Sequence, residues 1–117
     1  MIPAINSHIV DGALLLLLAE RADHGYSLLS RLEGLGIRVL DGPGALYRRL
    51  HALERKGLVV HEVGRSDKGP RRKIYTTTPL GSAALNERAI SLRDARNTID
   101  QWLHLHSNLA GLQGASR

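Results

Sequence analysis

Histidine is the side chain most often recruited for proton and metal chemistry near neutral pH, and six occur in these 117 residues: His8, His24, His51, His61, His104 and His106. His104 and His106 stand two apart, which turns them to different sides of a helix. The chain has no cysteine to complete a thiolate site. A metal-responsive regulator is therefore kept only as an alternative, with no metal ligand assigned. Ser27 and Ser30 lie in no recognisable nucleophile motif. Gly64 and Gly69 are not followed by the Gly-Lys-Ser or Gly-Lys-Thr of a phosphate loop. Neither catalysis nor a cofactor is expected.

The charged residues point elsewhere. The chain carries a formal charge of +5, and the surplus is localised. Between Asp41 and Lys73 lie nine basic residues (Arg48, Arg49, Arg55, Lys56, Arg65, Lys68, Arg71, Arg72, Lys73) against four acidic ones, while the remaining chain balances. A basic segment of this kind suits a polyanion.

The elements that must carry these charges follow from periodicity. Ser7 to Ala22 reads as a helix apolar nearly all round, through Leu14 to Leu18, so it must be buried on more than one side and is expected to meet a second subunit. After the turn Asp23-His24-Gly25, residues Tyr26, Leu28, Leu29 and Leu32 mark a short amphipathic helix ending at Gly34 or Gly36. Asp41-Gly42-Pro43 starts a third helix, with Asp41 available as cap, and it stops at Gly57. On it Leu46, Leu50 and Leu53 fall on one arc, whereas Gly44, Ala45, Arg48, Ala52 and Arg55 lie opposite. A small and basic face lets a helix approach a DNA groove while arginines reach bases or phosphates. Leu58 to Val63 and Lys73 to Thr78 read as strands joined by a long basic tip. Three helices followed by a basic hairpin is the order of a winged helix-turn-helix.

Thr78-Pro79 then opens a helix expected to reach His106. Leu85, Leu92 and Ile99 recur every seven residues, with Ala95 and Trp102 between them and Arg88 interrupting that second row, the signature of a helix contact between subunits. The expected architecture is mainly α with a small β-hairpin: a winged helix-turn-helix over residues 1–78, a long C-terminal dimerisation helix over 79–106 and a flexible tail over 107–117. Leu14, Leu85, Leu92, Ala95, Ile99 and Trp102 are the expected dimer interface.

In order and spacing, His24-Gly25-Tyr26, Pro43 to Leu50, Leu53 to Val59, Arg71 to Tyr75 and Thr78 to Gly81 resemble the PadR family of bacterial regulators across roughly Ala13 to Trp102. The resemblance implies a dimeric repressor whose first and last helices form the dimer and whose members respond to phenolic acids, drugs or other small molecules. It implies that Tyr47 brings a hydroxyl near phosphate and that Tyr26 opens the second helix. Arg48 and Arg49 become contacts to groove and backbone, and Arg71, Arg72 and Lys73 the root of the wing. With Gly44, Ala45, Arg55 and Lys68 these complete the expected DNA-binding set. The chain departs from the family where Gly42 and Ala45 replace hydroxyl residues, where Ile74 replaces the first of a tyrosine pair and where Thr77 replaces a core leucine. Leu92 stands where drug-sensing members carry a ligand-stacking tryptophan, so sensing of aromatic drugs is not carried over.

The longest apolar run, Ala13 to Ala19, is far below the roughly 20 residues of a membrane span, and no basic leader precedes it. The expected partners are double-stranded DNA, a second copy of the chain and a small-molecule effector, in the cytoplasm and without a membrane. The other alternative is a winged-helix module for protein association.

Overall fold

The computed structural model describes residues 3–39, 42–64 and 71–115, and side chains within 9–39, 42–64 and 71–111. Six elements follow in order: helices α1 (Pro3–Glu20), α2 (Gly25–Gly34) and α3 (Gly42–Arg55), strands β1 (Val59–Gly64) and β2 (Arg72–Thr77), and helix α4 (Pro79–Ala115). The fold is mainly helical with one antiparallel hairpin, as the pattern implied. Each strand is displaced by one residue from its expected bounds, with Val59 opposite Thr77 and Gly64 opposite Arg72.

The chain forms two compact units, residues 1–86 and 87–117. The first is organised around α1, whose Val10, Ala13, Leu14, Leu15, Leu17 and Leu18 are all buried. They pack with Leu28 and Leu32 of α2, Leu46, Leu50 and Leu53 of α3, and Val59 and Tyr75 of the hairpin. This aliphatic core is why α1 shows almost no amphipathic pattern: its neighbours surround it. Leu14 is fully enclosed by its own chain, which corrects its expected place at a dimer interface; on α1 it is Leu16 that faces out, at 46% exposure.

Backbone chemistry sets the ends of α3. At the end of α3 the Gly57 N–H bonds to the Glu54 carbonyl and the Leu58 N–H to the Leu53 carbonyl, the paired bonds of a Schellman turn, and Gly57 supplies the required left-handed φ of 76°. The chain then enters β1 at once. At the start of α3, Gly42 has a φ of 73°, a conformation that a serine or threonine would adopt only at a cost, which accounts for the missing hydroxyl. Asp41, the expected cap, lies outside the described residues.

The first turns of α4 belong to the first unit. The Thr78 hydroxyl accepts the Gly81 N–H at 3.1 Å and donates to the Gly57 carbonyl at 2.7 Å, capping α4 against the end of α3. Gly81 is buried, so close to Leu58 that a Cβ there would collide with the Leu58 carbonyl oxygen. Ala84 and Leu85 pack on the core, so Leu85 is engaged within its own protomer before any partner is considered.

In the second unit α4 continues to Ala115, past its expected end at His106 and through most of the tail expected from residue 107. Ser107 and Asn108 are neutral in a helix rather than breaking it. Two four-residue contacts bridge this region: the Trp102 and His106 rings stack at 5.5 Å, and Asn108 meets His104 at 3.5 Å.

Candidate nucleic-acid interface

The small and basic face of α3 is turned outward, as its spacing required. Gly44, Arg48 and Arg55 are exposed, and Ala45 is half-buried at the entrance to the helix. Arg48 forms no ion pair with any described residue, and its guanidinium passes over Gly44, whose Cβ position lies 3.6 Å from Nη1. Gly44 and Arg55 are eleven residues apart, so this face extends about 16 Å along the helix, enough to follow a major groove.

Tyr47 is placed by the start of α2. Its ring meets that of Tyr26 edge to face, with centroids 6.5 Å apart, a favoured aromatic geometry. It also lies so close to Gly25 that a Cβ there would sit 2.5 Å from both Cζ and the hydroxyl oxygen. Glycine in the His24-Gly25-Tyr26 motif thus lets the Tyr47 phenol take this position, which a side chain at residue 25 would displace. Tyr26 itself is 65% exposed.

The turn before α2 ties the wing to this arrangement. Asp23 pairs with Tyr75 of β2 through both backbone bonds, at 3.1 and 2.8 Å, forming a one-residue third strand. Its carboxylate accepts from the His24 N–H, the Ser27 hydroxyl and Arg31 at 2.9, 2.6 and 2.9 Å. Burial by itself would raise the Asp23 pKa, but these hydrogen bonds and the Arg31 charge outweigh it and hold the group below its ordinary value. His24 caps α2, and its Nε2 meets Arg72 Nη1 at 3.1 Å. The cap uses the other ring nitrogen, Nδ1, which accepts the Ser27 N–H at 3.4 Å. Arg71 and Lys73 are exposed beside Arg72, whereas Lys68 lies outside the described residues.

Arg49 does not behave like its neighbour. Its Nε donates to Asp11 Oδ1 at 2.8 Å and its Nη2 to Asp11 Oδ2, a two-pronged pair with a carboxylate buried in α1. Those bonds raise the arginine pKa above its ordinary value. Arg49 was expected among the DNA contacts; the structure instead directs it into the protein. One signal of this was legible, because a carboxylate inside a run as apolar as Val10 to Leu18 requires a cation or strong donors. At the far end of α3, Glu54 meets His61 of β1 at 2.6 Å. Among the described residues no group of three His, Asp or Glu converges as a metal site, and no helix is long and apolar enough to cross a membrane.

A helix-turn-helix continued by a basic hairpin thus presents Tyr26, Tyr47, Arg48 and Arg72 from elements joined by direct contacts. The model of the "Transcriptional regulator PadR-like family" matches residues 14–87, which span this whole arrangement. The chain belongs to the PadR-like family of transcriptional regulators. It is 38% identical over 106 residues to the transcriptional regulator Rv3488 of Mycobacterium tuberculosis, covering 90% of this chain and 92% of that protein. Among solved structures it is similar to the putative transcriptional regulator TA0346 of Thermoplasma acidophilum, with a TM-score of 0.74, 30% identity and coverage of 86% and 95%. The PadR-like regulator BC4206 of Bacillus cereus matches with a TM-score of 0.72, 25% identity and coverage of 81% and 91%. Membership of this family makes the chain a regulator of transcription and not an enzyme.

Proposed function

We propose that this PadR-family protein is a cytoplasmic homodimeric repressor that binds a two-fold operator, with α3 in the major groove and the hairpin on the flanking backbone. The observation that carries the reading is the contact chain from wing to recognition helix. Arg72 touches His24, Gly25 makes room for Tyr47, and Tyr47 meets Tyr26. These groups therefore form one continuous surface, which a general basic patch would not require. Dimerisation is supported by α4, where Leu92, Ile99 and Trp102 are 44%, 56% and 63% exposed, with Ala95 exposed between them. An apolar stripe on a helix of this length gains most of its stability from a partner. Repression follows from occluding a promoter, and a small-molecule effector that favours a conformation unable to span both half-sites would release the DNA.

The test is a titration against the DNA upstream of the protein's own coding sequence, with unrelated duplex as competitor, at two salt concentrations. Specific binding to a site whose half-sites lie about one helical turn, ~34 Å, apart is expected. Equal binding to every duplex at both salt concentrations refutes the operator reading and favours a module for protein association.

A further inference from the structure

Arg48 and Arg49 are adjacent and equally charged, yet the structure gives them opposite surroundings. Arg48 is exposed over Gly44. Arg49 spends two N–H groups on the two oxygens of Asp11, whose side chain is only 5% exposed against 34% for the arginine. This pair joins α1 to α3 across 38 positions of sequence.

The rest of α3 is held in two ways. Leu46, Leu50 and Leu53 bury one stripe, which decides the inward face but is non-directional. Glu54 and His61 tie down the C-terminal end. The N-terminal half carries Gly44, Ala45 and Arg48, and there the Arg49 fork is the charge-assisted attachment with a defined plane. Rotation matters at this end. With a side-chain radius of about 6 Å, turning the helix by ~15° displaces a contact atom by roughly 1.5 Å. Hydrogen bonds to base edges survive only within a few tenths of an ångström.

We infer that Arg49 is a positioning residue of the DNA interface: clamped by Asp11, it sets the rotation of α3 so that Arg48 meets the groove, and it neutralises no phosphate itself. The same clamp explains why a carboxylate stands in the apolar stretch of α1. The inference rests on α3 being the DNA-contacting helix, and it distinguishes two neighbouring arginines that charge alone treats alike.

The experiment compares the full-length protein with Arg49→Gln, Arg48→Ala and the double variant, measuring affinity for operator and for unrelated duplex over a series of salt concentrations. A further variant, Asp11→Leu with Arg49→Met, removes both charges together, so that neither is left stranded in the protein. Arg49→Gln should weaken operator binding by roughly tenfold, the scale of one lost base contact, while the salt slope stays at the wild-type value. The double variant should lose less affinity than the two single losses combined, because part of the effect of Arg49 passes through Arg48. A salt slope lower by about 0.9 in Arg49→Gln or in the charge-free pair marks a phosphate contact and overturns the inference. Additive losses in the double variant overturn it equally. Absence of operator preference in the wild type would instead defeat the reading of α3 on which the inference stands.

Discussion

Substituting alanine for Gly25 isolates one steric contact of the recognition surface. In most helices this change is favourable, by up to ~1 kcal/mol. Here the new Cβ would lie 2.5 Å from Tyr47 Cζ and its hydroxyl oxygen, where ordinary contact begins near 3.4 Å. The phenol must therefore withdraw by roughly 1 Å, and its half-buried position lets it do so without unpacking the core. Loss of the edge-to-face contact with Tyr26 costs about 0.5–1.5 kcal/mol, so the two effects nearly cancel and net stability should change by less than about 1 kcal/mol. DNA binding should not be spared. If, as the family resemblance implies, the Tyr47 hydroxyl bonds a phosphate, that bond contributes about 1.5–3 kcal/mol, and its loss should weaken affinity tenfold or more. Paired urea melts and operator titrations read the two quantities separately. In a Tyr47→Phe background the same substitution should have little further effect on affinity, since no hydroxyl remains to be displaced. Wild-type affinity in Gly25→Ala, with Tyr47→Phe impaired, would refute the steric argument.

Gly81→Ala makes the opposite case, because its Cβ meets the Leu58 carbonyl and Thr77 Oγ1 at the junction of hairpin and α4, where backbone cannot swing aside. We expect a loss of about 3 kcal/mol, read as a lowered urea midpoint; an unchanged midpoint would mean that this junction is looser than described. Asp23, with its pKa held below the ordinary value in the folded state, contributes stability that is complete above the unfolded value and is lost as pH falls through the folded one. Asp23→Asn should therefore be less stable at pH 7 and show a shallower decline in acid, and parallel acid limbs in a pH series of melts would contradict this. Ile99→Asp places a charge in the exposed stripe of α4 and should shift sedimentation from dimer to monomer; a persistent dimer would locate the interface elsewhere.

Spacing and residue type by themselves determine much of this protein. The arc of Leu46, Leu50 and Leu53 shows which face of α3 is core, and Thr78-Pro79 marks the start of α4, because periodicity and capping act within a few residues. The concentration of positive charge between Asp41 and Lys73 likewise indicated a polyanionic partner. Periodicity is least informative for α1, where burial on several sides hides which leucines face out: Leu14 is enclosed and Leu16 is exposed. For the end of α4, polar composition after His106 suggested a tail, while the helix continues through weak helix formers and local side-chain pairs.

What only the tertiary structure decided is the partner of each polar group. Asp11 and Arg49 are 38 positions apart, and His24 and Arg72 are 48. No local pattern encodes such a pairing, because it depends on how α1, α2, α3 and the hairpin pack around a common core. The sequence alone therefore places small and basic residues on one face of a helix and basic residues on the hairpin that follows it. Folding selects which cations are held inside the protein, since a charge brought against a buried carboxylate is bound there by the desolvation that its release would leave uncompensated.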